Sequence, residues 1–132
     1  MAAKDQERCI DPQDSDDGLD KGTRGKLGAL ETIKELTPLY AKAKADRSYL
    51  ELWRKSKKAL LMVEAEKEGH KSAAMQERYA YSHPEYVEVL RGLHVAVEEE
   101  TRLEFTLRAA ENKIRVWQTR MASDRLERQV IR

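Results

Sequence analysis

The sequence predicts an all-α protein whose long helices form a helical hairpin or a bundle, completed by homo-oligomerisation. Apolar residues recur every three or four positions over long stretches, and no segment alternates with a period of two. Charged residues make up 37% of the chain and aromatic residues 6%, a balance typical of long helices with exposed faces. Residues 39–68 contain neither Gly nor Pro, so one helix can run through them.

Residues 1–26 are expected to form a flexible, disordered acidic tail ahead of a single helical domain at 27–132. Five Asp fall between positions 11 and 20, and almost nothing apolar accompanies them, so ordering this segment would bury too little surface. Gly22, Gly25 and Gly28 lack the Lys-Ser/Thr ending of a phosphate-binding loop. The only cysteine, Cys9, cannot form an internal disulfide, which suits the cytoplasm, and no apolar run is long enough to span a membrane.

Turn-forming residues divide the domain into predicted helices. After a short amphipathic segment at 27–36, Thr37 is expected to cap a basic helix over 38–68, with Pro38 in its first turn and Gly69 after its end. A short helix follows at 71–81. Ser82 and Glu85 have the spacing of a capping box, which predicts a third helix from Pro84 to residue 121 or beyond.

The third predicted helix carries an apolar seam that should face another helix. Its members are separated by threes and fours from Tyr86 to Met121, with Glu100 as the one polar member. Two helices of this length cannot bury all their apolar surface against each other, so we expect association between copies, with packing inside a monomer as the alternative. The residues predicted to drive assembly are Leu90, Leu93, Val97, Leu103, Leu107, Ile114 and Trp117.

A helical wheel separates the basic helix into two opposite faces. Tyr49, Leu52, Trp53, Leu60 and Val63 share one arc with Ser56, and this arc is predicted to be buried. The opposite face is a cationic stripe, expected to carry i,i+4 ion pairs from Glu51 to Arg47 and Lys55. Its predicted members are Lys44, Arg47, Arg54, Lys55 and Lys58.

Charge is strongly zoned along a chain whose net charge is only +1. Residues 42–58 hold seven cations against two carboxylates, a balance of +5, whereas residues 82–104 hold two against six, a balance of −4. Residues 105–132 return to +4, with seven cations against three carboxylates. The cationic stripe is either a solvated helix face or a surface that binds phosphates. Near the turn, Tyr79 and Tyr81 lie close to Lys71 and Arg78 in the sequence, and their rings either stack bases or pack between helices.

Residue patterns that would indicate catalysis or a cofactor are absent from the sequence. His70, His83 and His94 do not have metal-ligand spacing, and the run Glu98 to Glu100 points in three directions around a helix. No nucleophile elbow or phosphate loop is found. We therefore predict a non-enzymatic protein without cofactor or metal.

A stretch of the basic helix and the turn after it resemble a known family. The residues Lys57-Lys58-x-Leu60-Leu61-x-Val63-Glu64-Ala65-x-Lys67 precede a turn with Lys71, Arg78, Tyr79 and Tyr81 and a long amphipathic C-terminal region. This order resembles the UvsY family of bacteriophage recombination mediators over residues 38–121. The family's Lys-x-Arg element before the tyrosines is not matched, because Ser72 and Ala73 follow Lys71.

The resemblance implies a small all-helical, ring-like homo-oligomer that binds single-stranded DNA. Such a protein helps load a RecA-type recombinase onto strands covered by single-strand-binding protein, has no enzymatic activity, and acts in the host cytoplasm. The alternative prediction is a non-enzymatic helical structural or adaptor protein that works through protein–protein contacts. The predicted DNA-binding residues are Lys44, Arg47, Arg54, Lys55, Lys58, Lys71 and Arg78.

Overall fold

The fold is all-α, as predicted, and consists of a long antiparallel hairpin with a short third helix at its closed end. A computed structural model describes residues 20–131, in which helix α1 spans Lys21–Lys67, α2 spans Ala73–Ser82 and α3 spans Pro84–Val130. The first 19 residues of the predicted tail, with Cys9, and the terminal Arg132 lie outside the described residues. Helices α1 and α3 have 47 residues each, a length of about 70 Å.

Helix α1 begins earlier than predicted, so the proposed boundary of the tail at residue 26 is wrong. Asp20 caps the helix, and its carboxylate accepts a hydrogen bond from the Thr23 N–H at 3.1 Å. Gly22 does not prevent helix formation, because a glycine costs only about 1 kcal/mol and Lys26 in the next turn contacts the Trp117 ring of α3. Tertiary packing therefore extends the helix through a segment of low propensity.

Pro38 lies inside α1 and does not start a new helix, contrary to prediction. A proline in a helix removes one N–H, which here leaves the carbonyl of Lys34 without its usual donor. Pro38 and Lys34 are both exposed on the side of α1 that faces away from α3, so water can replace that hydrogen bond. The predicted cap, Thr37, instead donates its hydroxyl to the Ile33 carbonyl at 2.6 Å within the continuous helix.

Helix α1 ends where the sequence predicts. Gly69 has a φ of +104°, which only glycine adopts without strain, and the His70 N–H donates to the Ala65 carbonyl at 3.0 Å across the turn. Ser72 then caps α2, accepting a hydrogen bond from the Met75 N–H at 3.2 Å.

Helix α3 begins at Pro84 as predicted, but its cap is not Ser82. The Ser82 hydroxyl donates to the Arg78 carbonyl at 2.7 Å and so completes the last turn of α2. His83 caps α3 instead, with Nδ1 accepting a hydrogen bond from the Glu85 N–H at 3.1 Å. With one residue between two helices, the side chain nearest the first free N–H groups takes the capping role.

The core between α1 and α3 is thin and rich in small side chains. Leu61 and Leu103 are the only large side chains of residues 20–131 that are less than 2% exposed. Leu61 packs with Ala80 and Tyr86 where the three helices meet. The other buried apolar residues are alanines, which let the two long helices approach closely: Ala29, Ala43, Ala65 and Ala110.

Two glycine substitutions test the turn at Gly69. A Cβ at Gly69 or at Gly28 would meet no atom within 4 Å, so the two positions differ in backbone conformation and not in space. We expect Gly69→Ala to lower the free energy of unfolding by about 1 kcal/mol. Gly28→Ala, inside α1, should raise it by about 0.5–1 kcal/mol. Urea denaturation followed by circular dichroism measures both, and effects of the same sign would contradict the assigned turn.

Candidate nucleic-acid interface

The hairpin places the cationic segment of α1 opposite the acidic segment of α3. Arg47 forms an ion pair with Glu100, which is only 8% exposed. Lys57 Nζ lies 2.5 Å from a carboxylate oxygen of Glu85, and this contact lowers the pKa of Glu85. Much of the charge zoning in the sequence is therefore used within one chain.

Arg47 belongs to the packing between helices more than to an exposed binding surface. Its guanidinium donates to Glu100, and also to Glu51 at 2.7 Å, which is one of the two i,i+4 pairs predicted. The hydrogen bond to Glu100 makes the largest contribution to raising the pKa of Arg47, and the hydrogen bond to Glu51 makes the next largest. The other predicted pair, Glu51 with Lys55, is not among the ion pairs between described residues.

Three predicted cations meet two tyrosines in one cavity near the closed end of the hairpin. The cavity has a volume of about 290 Å³ and is lined by Arg54, Lys55 and Lys58 of α1, Tyr81 of α2 and Tyr86 of α3. We call it the Tyr81 cavity. It joins side chains from all three helices and has no carboxylate in its lining.

Contacts around Tyr81 orient the groups of the cavity. Lys58 Nζ lies 4.7 Å from the centroid of the Tyr81 ring, and the rings of Tyr81 and Tyr86 meet edge to face at 5.4 Å. Lys58 also donates a hydrogen bond to Glu77 at 3.2 Å. The pKa of Lys58 is raised, most strongly by its hydrogen bond with Tyr81 and next by that with Glu77. Tyr81 is 48% exposed, so part of its ring remains open to a ligand.

Arg54 and Lys55 are the cations of the Tyr81 cavity that are available to an anion. Neither has an ion-pair partner among residues 20–131, whereas Lys58 shares its charge with Glu77. Guanidinium, ammonium and phenol groups all donate hydrogen bonds to phosphate oxygens, and an exposed tyrosine ring can stack on a base. The arrangement can therefore hold a phosphate with an adjacent base.

The remaining predicted DNA-binding residues lie apart from this cavity. Lys44 is exposed on α1, ten residues or about 15 Å before Arg54. Lys71 is exposed beside the turn, and Arg78 lines a separate cavity with His70 and Tyr79. The structure thus brings Arg54, Lys55 and Lys58 together but leaves Lys44, Lys71 and Arg78 dispersed.

Tyr79, considered from the sequence for base stacking, packs between two histidines. Its ring centroid lies 5.4 Å from that of His70 and 5.6 Å from that of His83. Burial, then the nearby charges of Glu64 and Glu68, raise the pKa of Tyr79. Tyr86, predicted only as a member of the α3 seam, packs with Leu61 of α1 and also lines the Tyr81 cavity, which no local sequence signal indicates.

The predicted buried face of α1 is exposed in one chain, so that prediction is wrong there. Tyr49, at the edge of this face, lines a cavity with Gly92 and Val95 of α3. The exposed fractions are 65% for Tyr49 and Leu52, 57% for Leu60, 51% for Val63 and 38% for Trp53. We call these five residues the outer stripe. Large contiguous apolar patches are uncommon on soluble monomers and mark interaction sites.

The predicted seam of α3 does face a helix, but that helix is α1 of the same chain. Leu103 is buried there, and Leu93, Leu107, Ile114 and Trp117 are half-buried. Leu90 and Val97 remain 38% and 41% exposed. Most residues predicted to join copies therefore hold the hairpin together.

Neither a metal cluster nor a membrane span is found in residues 20–131. No group of three or more His, Cys, Asp or Glu side chains in this range could hold a metal ion. None of the three helices is long and apolar enough to cross a membrane.

Comparison with known proteins identifies no relative. No protein family, curated protein or solved structure matches the chain.

Proposed function

We propose that this chain is a non-enzymatic recombination mediator that binds single-stranded DNA without sequence preference. In this role it assists loading of a RecA-type recombinase onto strands covered by single-strand-binding protein. The Tyr81 cavity carries the DNA-binding part of the proposal, because it combines two cations without carboxylate partners and a half-exposed tyrosine ring. The resemblance of residues 38–121 to the UvsY family supports the mediator role.

The chemistry of the Tyr81 cavity suits binding to any sequence. Arg54 and Lys55 are suited to phosphates, which are the same at every nucleotide. The Tyr81 ring can stack on any base, since every base has a π-face. The side chains that line the cavity include no Asn or Gln, the residues that read adenine edges in pairs of hydrogen bonds.

A mediator must also release its strand, and Lys58 gives a physical basis for weak binding. Its ammonium group already contacts Glu77, so a phosphate must compete with that carboxylate for the same charge. Contacts from exposed Lys and Arg are individually weak and sensitive to salt. Handover to a recombinase filament then needs no large conformational change.

Self-association through the outer stripe is the second part of the proposal. Tyr49, Trp53, Ser56, Leu60 and Val63 follow one another at intervals of four and three, the spacing of a coiled-coil seam. Stable interfaces bury about 800 Å² per partner, and the large exposed side chains of the outer stripe would form the apolar centre of such an interface. Several copies would multiply weak DNA contacts into a higher overall affinity.

The outer stripe also favours a second candidate function. A helical structural or adaptor protein would use the same exposed apolar face to dock a different protein, and its cations would then serve solubility and interhelical pairing. The two functions differ in whether the Tyr81 cavity binds DNA.

Removing the two available cations of the Tyr81 cavity should weaken DNA binding. For Arg54→Ala with Lys55→Ala we expect lower affinity for a labelled single-stranded oligonucleotide, because two phosphate contacts are lost. The slope of log affinity against log salt should become shallower by about 1.4, or 0.7 per contact. Fluorescence anisotropy over a series of salt concentrations measures both quantities.

Lys34→Ala with Lys42→Ala is the matched control for the Tyr81 cavity. It removes the same charge from exposed positions of α1 outside the cavity, so its salt slope should change much less. If the two double variants lose equal affinity for the oligonucleotide, binding depends on general electrostatic attraction and not on the cavity. No binding by the parent protein at low salt would contradict the DNA-binding function and leave the adaptor function.

A charge in the outer stripe should dissociate the proposed assembly. Leu60→Glu places a carboxylate at the centre of the stripe, where association would bury it, so the mass measured by light scattering should fall to that of the monomer. Leu126→Glu is the control, because Leu126 is a leucine of similar exposure, 63% against 57%, on α3. If the parent protein is a monomer at micromolar concentration, or if both variants behave alike, the outer stripe is not the interface.

A further inference from the structure

A second cavity lies at the open end of the hairpin, far from the Tyr81 cavity. It has a volume of about 460 Å³ and forms between the first turns of α1 and the region of α3 around Trp117. Lys26 and Lys55 are separated by 29 positions along α1, or about 44 Å, so the two cavities are distinct sites. We call this one the Trp117 cavity.

Four cations surround the Trp117 cavity, and no carboxylate lines it. Lys21 and Lys26 come from α1, and Lys113 and Arg120 come from α3. None of the four has an ion-pair partner among residues 20–131, unlike Lys58 of the Tyr81 cavity. The nearby Asp20 carboxylate caps α1, with Oδ1 accepting a hydrogen bond from the Thr23 N–H at 3.1 Å, and it remains the negative charge next to the cavity.

The walls between these cations are open and mainly apolar, with the Asn112 amide as their one uncharged polar side chain. Val116, Ala109 and the indole of Trp117 form the α3 side, while Gly22 and Gly25 form the α1 side. A Cβ at Gly25 would meet no atom within 4 Å, and one at Gly22 would lie 3.7 Å from Trp117 Cδ1. The missing side chains at these glycines keep the space beside the indole free.

The Trp117 indole lies next to a cation, and its N–H group is unpaired among residues 20–131. Lys26 Nζ lies 3.9 Å from the centroid of the indole ring, a cation–π contact. The indole N–H is buried and has no acceptor among the described residues. A buried donor without a partner costs about 1–3 kcal/mol, so this position of the indole is maintained at a cost in stability.

We infer that the Trp117 cavity binds one nucleotide of single-stranded DNA, with the base beside Trp117 and the phosphate between Lys21, Lys113 and Arg120. A simple anion would not need apolar walls, and an uncharged apolar ligand would not need four cations. A flat base joined to a phosphate matches both features, and the volume lies in the usual range for ligand sites. The inference rests on the proposed function and adds a second strand contact, to which Lys113 and Arg120 of the basic segment 105–132 contribute.

Trp117 itself can report on this site, because the chain has only two tryptophans. In Trp53→Phe, Trp117 is the only tryptophan, so its fluorescence can be followed while unlabelled oligo(dT) is added. Because Trp53 belongs to the outer stripe, light scattering and strand anisotropy first check that this variant assembles and binds as the parent protein does. We expect quenching that saturates together with the anisotropy of a labelled strand. Thymidine monophosphate and inorganic phosphate at the same phosphate concentration should leave the fluorescence unchanged.

Two charge-removal variants in the Trp53→Phe background separate this site from general attraction. Lys113→Ala with Arg120→Ala should abolish the quenching and make the salt slope of binding shallower by about 1.4. Arg125→Ala with Arg128→Ala removes the same charge from exposed positions of α3 outside the cavity, and should preserve the quenching. Thermal unfolding of both variants checks that the hairpin is retained.

The outcomes distinguish this inference from the proposed function. Strand binding by anisotropy without a change in Trp117 fluorescence would overturn the Trp117 site and leave the function intact. The same fluorescence change with phosphate alone would make it a simple anion site, and the same change with the mononucleotide would make it a site for free nucleotides. Either result would overturn the inference. Absence of strand binding in any assay would overturn the proposed function itself.

Discussion

The ion pair between Arg47 and Glu100 is the interaction on which the arrangement of this hairpin depends. Glu100 lies within the apolar seam of α3 and is almost fully buried, so it must be matched by a cation on the helix that covers it. Arg47 supplies that cation, and Lys57 with Glu85 repeats the match nearer the turn. Together these pairs determine which face of α1 turns towards α3.

The orientation of α1 towards α3 accounts for the surfaces that remain exposed. Because α3 covers the side of α1 with Arg47 and the small alanines, the outer stripe is left exposed and the core contains few large side chains. The same orientation occupies Arg47 and Lys57 in ion pairs and leaves Arg54 and Lys55 beside Tyr81. The surface proposed for assembly and the surface proposed for phosphate binding therefore both result from this orientation of α1.

The sequence predicted the helices well where local signals govern them. The stop at Gly69, the start at Pro84 and the α3 seam from Tyr86 to Met121 all follow from backbone conformation and periodicity. The prediction that Pro38 starts a new helix is wrong, because a proline on the exposed side of a long helix removes only one backbone hydrogen bond. Water can replace that bond. The predicted start of α1 is wrong because the Asp20 cap and the contact of Lys26 with Trp117 offset the cost of the glycines.

The candidate site was only partly predictable, for a reason of geometry. A helical wheel shows that α1 has an apolar and a cationic face, but it does not show which face another helix will cover. Arg47 and Glu100 are 53 positions apart, so their pairing cannot be seen in any local window. Tyr81 and Tyr86 likewise join Arg54 and Lys55 only after the chain has folded.

A double-mutant cycle on this ion pair tests the account most directly. Thermal unfolding would compare Arg47→Met, Glu100→Leu and the double variant with the parent protein. Arg47→Met should be the most destabilising, since it leaves the buried Glu100 without a partner, and the double variant should be more stable than Arg47→Met alone. If the two single effects simply add, the ion pair does not determine which face of α1 meets α3.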